Sequence, residues 1–180
     1  MSSPENVTSR IFLVGPMGVG KTTIGRMLAK ELQLEFVDCD VEIEDRCGAA
    51  IAWIFDVEGE VGFRDRETHM LDELTNRDNI LLATGGGAVL REENRGYLQE
   101  RGTVVFLDSS VDLLVKRTAK DKKRPLLRNG DPGEVLTRIK RERDPLYREV
   151  ADFRFYVGDS SSARVVKQIV RQLKSEGMLG

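Results

Sequence analysis

Gly15, Gly20, Lys21 and Thr22, with Pro16 to Val19 between them, fit the spacing G-x-x-x-x-G-K-[ST] in the segment IFLVGPMGVGKT. Glycines at those positions let the backbone turn its N–H groups inward around a phosphate, and the helix that follows offers its positive N-terminal end to the same anion. The Lys21 ammonium is placed to reach β/γ-phosphate oxygens, and the Thr22 hydroxyl to ligate the Mg²⁺ that accompanies a nucleoside triphosphate. A second group of chemical interest is Asp38-Cys39-Asp40, two carboxylates spaced two apart. They point the same way if the chain stays extended there, and serve different partners if it turns. A third is the triple glycine Gly85-Gly86-Gly87 in TGGGAV, where a backbone free of side chains permits close approach of a ligand.

These groups need elements to hold them. Apolar runs over 11–14, 35–38, 80–83, 103–107 and 153–157 read as five buried strands. Helical spacing appears over 23–32 (Ile24, Leu28, Leu32), through Arg46, over 50–55, 60–74, 91–100, 111–117, 134–143 and 163–173. The helix over 50–55 is short, and the helix over 134–143 is expected to stop before Pro145, which disfavours helix at Asp144. Strands that alternate with helices imply a parallel α/β sheet with right-handed crossovers, whose ligand crevice lies at the carboxyl ends of the strands. All three candidate groups follow strands, so all fall on that edge. The third strand ends without the aspartate that many enzymes with this loop use near Mg²⁺, which leaves Asp38 as the best carboxylate for the task.

At 180 residues, 40 % hydrophobic and 32 % charged, the chain suits one domain, 1–180, with one core. A formal net charge of −2 supplies no general basic field and argues against nucleic acid as the main partner. No apolar run approaches the ~20 residues that span a bilayer, and the polar MSSPENVTSR has no signal-peptide core and reads as a frayed lead-in, which together point to the cytoplasm. Cys39 and Cys47 suggest neither a disulfide framework nor a zinc site. His69 lies on a charged helix and is assigned no chemistry, and Trp53 reads as core or partial surface. Arg64 and Glu67, three apart, share a helix face, and spacing alone reads them as a surface ion pair. The basic stretch 118–131 is either a solvated loop or a lid that closes cations over phosphates and excludes water.

Taken together, GPMGVGKTTIGRMLA, DCD, FRDRE, TGGGAV, RPLL and ERDPLYREVA, in this order from residue 11 to about 173, resemble the shikimate kinase family. The resemblance implies a three-layer α/β/α P-loop kinase fold of the nucleoside monophosphate kinase type, with a five-stranded parallel sheet, a lid at about 118–131 and a substrate-binding region at about 40–74. It implies transfer of the ATP γ-phosphate to the 3-hydroxyl of shikimate, on the route to chorismate and the aromatic amino acids, by a monomer. Gly18, Val19, Gly20, Lys21, Thr22 and Thr23 would wrap the phosphates, with Thr22 and Asp38 organising Mg²⁺. Arg117 matches a residue that packs on adenine, Ser160 lies in the remainder of that pocket, and Arg124 in the lid matches the arginine that reaches the transferring phosphate. Arg64 and Arg143 match carboxylate-binding arginines, Asp40 the group that binds ring hydroxyls and is candidate base, and Gly85, Gly86 and Gly87 the backbone wall. Glu67 would then hold Arg64 in place. Lys21, Asp40 and Arg124 are the expected catalytic groups. A kinase for gluconate or a nucleoside monophosphate is the alternative within the fold. A non-catalytic nucleotide sensor is the alternative outside it, and leaves Asp40, Arg64, the glycines and Arg143 unexplained.

Overall fold

The computed structural model describes residues 9–119 and 130–178. Arg124 and most of the expected lid lie outside the described residues. Five parallel strands, β1 (Arg10–Val14), β2 (Glu35–Asp38), β3 (Ile80–Ala83), β4 (Thr103–Asp108) and β5 (Phe153–Tyr156), form one sheet in the order β2-β3-β1-β4-β5. Alternation along β1 assigns its side chains to the two faces. Ile11 and Leu13 pack with α1 (Lys21–Leu32) and α7 (Ser162–Ser175), whereas Phe12 and Val14 pack with α3 (Ile51–Leu74) and α4 (Glu92–Arg101). Each face is thereby covered by helices, giving the three layers expected.

Register fixes the functional edge. Leu13 pairs with Ala83, Asp38 pairs with Ala83, and Val14 pairs with Phe106, so β1 to β4 end nearly level. The connection after β1 leaves toward β2 and that after β4 toward β5, which opens the sheet's crevice at the carboxyl end of β1. The segment that follows β1 packs closely there: a Cβ on Gly15 would overlap the Leu107 carbonyl.

Two helices differ from their sequence reading. The runs over 50–55 and 60–74 join as α3, bent at Gly59, where φ of 73° and ψ of 178° break the helical path. The helix at 134–143 does not end before Pro145: α6 spans Pro132–Val150 with that proline inside. Pro145 is exposed, and so is Arg141, whose carbonyl loses its intrahelical donor and can be solvated instead. Buried Leu136, Ile139, Arg143, Tyr147 and Val150 continue at helical spacing through the proline, and their burial on both sides of it holds the helix together. Trp53 is half exposed, in line with the partial-surface reading. Among the described residues, no helix is long and apolar enough to cross a membrane.

Candidate active site

The loop after β1 turns into α1 at Gly20, whose φ of 104° is a left-handed conformation open to glycine. Val19 is fully buried and packs its side chain into the core. Lys21 Nζ donates to the carbonyls of Gly15 (2.6 Å) and Pro16 (2.8 Å), which holds the ammonium across the mouth of the loop. Arg117, near the end of α5 (Val111–Thr118), donates to the Val19 carbonyl at 2.8 Å and the Gly158 carbonyl at 3.2 Å. One guanidinium therefore ties the phosphate loop to the β5–α7 connection. Ser160 is exposed on that connection.

The Asp38/Asp40 ambiguity resolves in favour of a turn. α2 (Cys39–Cys47) starts immediately after β2, with Asp38 as its cap: Oδ1 accepts from the backbone N–H of Asp40 (3.0 Å) and Val41 (3.3 Å). Asp38 Oδ2 accepts from Thr22 Oγ1 at 2.9 Å. This pairing of a hydroxyl and a carboxylate beside the phosphate loop is a hard-oxygen donor set of the kind that suits Mg²⁺, which usually takes one or two protein oxygens and completes its shell with phosphate and water. The residues fit the ion the loop implies. Gly18, Gly20, Thr22, Thr23, Asp38 and Arg117 line a single cleft with Lys21.

Asp40, on the first turn of α2, borders this cleft and also faces a second group of charges. A Cβ on Gly85 would lie 2.9 Å from Asp40 Oδ1 and 3.0 Å from Glu67 Oε2; one on Gly86 would lie 3.4 Å from Arg143 Nη1; one on Gly87 would overlap the Arg64 guanidinium. Charged side chains thus approach all three glycines, and a side chain at Gly85 or Gly87 would have to displace one, while Gly86 is only in close contact. A second pocket lies on this side, lined by Asp40, Arg64, Glu67, Arg143 and the three glycines, with Phe55 and Phe63 as an apolar wall. Asp40, Gly85 and Gly86 line both cavities.

The ion pair at 64/67 is not the surface pair its spacing suggested. Arg64 is 7 % exposed and Glu67 fully buried, joined Nη1 to Oε1 at 2.9 Å, while Arg64 Nη2 donates to Glu60 at 3.2 Å. Burial pushes the Glu67 carboxyl above its ordinary range, and Arg64, Arg143 and Arg91 pull against that shift. Arg64 Nε and Glu67 Oε2 are buried without a hydrogen-bond partner among the described residues. Such atoms are rare outside places where a ligand completes them. Arg143, 5 % exposed, lies on α6 across the pocket.

Sequence reading missed two groups that hold this wall and an ion-pair cluster at the end of β4. Thr84 Oγ1 donates to the Leu13 carbonyl at 2.8 Å and pins the end of β3 to β1. Tyr147 donates its hydroxyl to the Gly86 carbonyl, and burial pushes the phenol well above its ordinary pKa, so it stays a donor. Asp108, at the end of β4, meets Lys140 of α6 at 2.7 Å and Arg154 of β5 at 2.6 Å. Burial alone would raise that carboxyl, but the two cations hold it below its ordinary range. Thr84 and Tyr147 lie inside the quoted TGGGAV and ERDPLYREVA, but the motif does not say what they touch, because each contact joins elements distant in the chain.

The comparisons with known proteins agree with this geometry. Residues 17–174 match the family model described as shikimate kinase. The shikimate kinase of Chromohalobacter salexigens is 60 % identical over 164 residues, covering 91 % of each chain. That of Pseudomonas aeruginosa is 54 % identical, covering 91 % of this chain and 95 % of its own. Among solved structures, shikimate kinase from Acinetobacter baumannii in complex with shikimate superposes with a TM-score of 0.93 at 48 % identity, covering 94 % of this chain and 95 % of that one. A gluconokinase from Sinorhizobium meliloti, at 15 % identity and a TM-score of 0.56, shares the fold alone. With a phosphate loop and a pocket of buried arginines meeting at Asp40, and relatives this similar along nearly the whole length, the chain belongs to the shikimate kinase family.

Proposed function

We propose that the chain transfers the γ-phosphoryl group of ATP to the 3-hydroxyl of shikimate. The observation that carries this reading is the shared wall: Asp40, Gly85 and Gly86 line both the phosphate cleft and the pocket of Arg64 and Arg143. A hydroxyl bound in the second pocket is then presented to a phosphate bound in the first. Arg64 and Arg143 are suited to take the acceptor carboxylate, since planar guanidinium groups engage carboxylates at two points. Their burial strengthens that interaction by removing competing water. The Gly85–Gly87 backbone approaches the ring, and Asp40 accepts a hydrogen bond from the attacking hydroxyl. The acceptor oxygen forms its bond to the γ-phosphorus as the bond to the β-bridging oxygen breaks. The hydroxyl proton passes to Asp40 or to the transferred phosphoryl group, and ADP leaves.

Phosphoryl transfer has a loose transition state, so positioning and charge neutralisation outweigh proton abstraction. Backbone N–H groups of Gly18, Val19 and Gly20, with Thr22 and Thr23 at the start of α1, cradle the phosphates. Lys21 neutralises charge on the β/γ oxygens, and Arg124, outside the described residues, keeps the role that the resemblance implies. Thr22 and Asp38 would hold Mg²⁺, which when bound neutralises the same oxygens. Arg117 and the connection bearing Ser160 border the nucleotide's outer end. The stretch 40–74 acts as the acceptor-binding region and 118–131 as the lid of a single domain. Action as a monomer follows the family resemblance, and dependence on ATP supports the cytoplasm. The test is ADP release by purified protein with shikimate, gluconate, quinate or AMP as acceptor, with and without Mg²⁺. Turnover on shikimate alone, lost without Mg²⁺, is expected; preference for another acceptor overturns the assignment.

A further inference from the structure

Tyr147 is a buried phenol that the proposed reaction does not use. It sits on α6 one turn after Arg143, 1 % exposed, with its ring against Phe106 of β4 at 5.1 Å between centroids. Its hydroxyl donates to the Gly86 carbonyl and also interacts with the Arg143 side chain. Gly86 and Gly87 are the central residues of a β-turn closed by the Ala88 N–H on the Gly85 carbonyl at 3.1 Å. Neither glycine has φ in the left-handed region, which makes this a type I arrangement.

The same four residues can close a type II turn, which needs φ near +80° at its third residue, and glycine adopts that value without steric cost. The two types differ by a flip of the central peptide. Because that peptide is planar and trans, the Gly86 C=O and the Gly87 N–H point in opposite directions and exchange sides together. Gly85–Gly87 line the acceptor pocket, whereas Tyr147 is buried in the core and is not among the residues lining that pocket. A carbonyl drawn toward Tyr147 is therefore turned away from the pocket, and the Gly87 N–H is turned toward it. After a flip, a carbonyl dipole would face the hydroxyls and carboxylate of the acceptor.

We propose that Tyr147 is a positioning residue: its hydroxyl latches the Gly86–Gly87 peptide in the orientation that presents an N–H, and not a carbonyl, to the acceptor. The glycines that make room for Arg64 and Arg143 leave this peptide free to flip, and the phenol removes that freedom. The inference rests on the proposed transfer to shikimate.

The test compares Tyr147→Phe, which removes only the hydroxyl, with Phe106→Leu, which loosens the packing of the same ring and keeps the hydroxyl. Tyr147→Phe should raise the shikimate KM about fivefold or more, as expected for one hydrogen bond, with the ATP KM within about twofold. Phe106→Leu should lower the Tm at least as much yet leave the shikimate KM within about twofold. In protein labelled with ¹⁵N-glycine, the Gly87 amide should give one resonance in the parent and a shifted or doubled one in Tyr147→Phe. An unchanged Gly87 amide in Tyr147→Phe overturns the latch whatever the KM does, because the lost hydroxyl also touches Arg143 and can raise the KM through it, and equal rises in KM for both variants overturn it too. If the parent protein transfers nothing to shikimate, the reaction assignment falls, while the amide resonance still decides whether the phenol holds the peptide.

Discussion

The phosphate cleft and the acceptor pocket meet at Asp40, Gly85 and Gly86, but they are made of different materials. The cleft is a short continuous stretch, Gly15 to Thr23, whose working groups are backbone N–H donors, one ammonium and a hydroxyl. Its polar ties to the rest of the chain include those of Thr22 to Asp38 and of Arg117 to the Val19 carbonyl. The pocket is assembled from α2, α3, the loop after β3 and α6, and its charges are buried: Glu67 is fully inaccessible, Arg143 5 % and Arg64 7 % exposed. A phosphate brings enough charge to be gripped by a partly solvated loop. A single carboxylate on a small ring needs guanidiniums taken out of water, and those need a buried counter-charge. Folding stability and function should therefore be coupled in the pocket and largely separate in the cleft.

The largest expected effect is on that buried counter-charge. Glu67→Ala leaves Arg64 without its main partner and should cost about 3–5 kcal/mol of stability by denaturant unfolding, as for other broken buried pairs. Glu58 pairs with Arg66 at 2.8 Å on the outside of the same helix, and Glu58→Ala should produce no resolvable change in Tm. Equal losses would erase the distinction between buried and surface pairs. Next, Lys21→Met should lower kcat about 10³-fold, as for removal of one preorganised charge-stabilising donor, with a Tm close to the parent's. Arg143→Ala should act the other way round, raising the shikimate KM by roughly 10- to 100-fold, as for lost hydrogen bonds to a charged group, with kcat changed less. Steady-state kinetics giving the reverse split would break the division of labour. Gly87→Ala, which pushes a methyl group into the Arg64 guanidinium, should cost about 1–3 kcal/mol in acceptor binding, as typical overpacking does, and leave ATP binding intact.

The smallest effect is in pH dependence. Glu67 has its carboxyl raised above the ordinary 4.5 by burial, so the folded state holds that proton more tightly than the unfolded chain does. Stability contributed by Glu67 is greatest below 4.5 and declines as pH rises through the shifted range. Glu67→Gln should remove that decline. A stability profile unchanged in slope by the substitution would count against a titrating Glu67.

These differences also explain what the sequence made legible. The five strands, their parallel arrangement and the phosphate loop follow from local patterns: apolar runs, glycine spacing and a helix directly after. The turn at Asp38 was open, because two residues at a strand end do not reveal whether the chain continues, and the N–H groups of Asp40 and Val41 settle it by bonding to Asp38. Pro145 misled a local rule, since the penalty it imposes is smaller than what Arg143, Tyr147 and Val150 gain by staying on one buried stripe. Arg64 and Glu67 looked like surface residues because spacing gives a shared helix face and not which way that face points. Family resemblance corrected that reading, and three-dimensional packing supplies its cause: glycines after β3 let the pair be covered. The bonds of Tyr147 to Gly86 and of Thr84 to Leu13 link residues more than 60 positions apart and have no signature in either partner's neighbourhood.

The claim on which the rest depends is that the two cavities act as one site, so that a phosphate held by Lys21 passes to a hydroxyl held beside Asp40. A ³¹P NMR time course of the purified protein with ATP, Mg²⁺ and shikimate tests it most directly. The account predicts that a phosphomonoester resonance, coupled to the proton on ring carbon 3, grows in step with ADP and with no build-up of inorganic phosphate. ADP accompanied by inorganic phosphate alone, or no consumption of ATP, would contradict it.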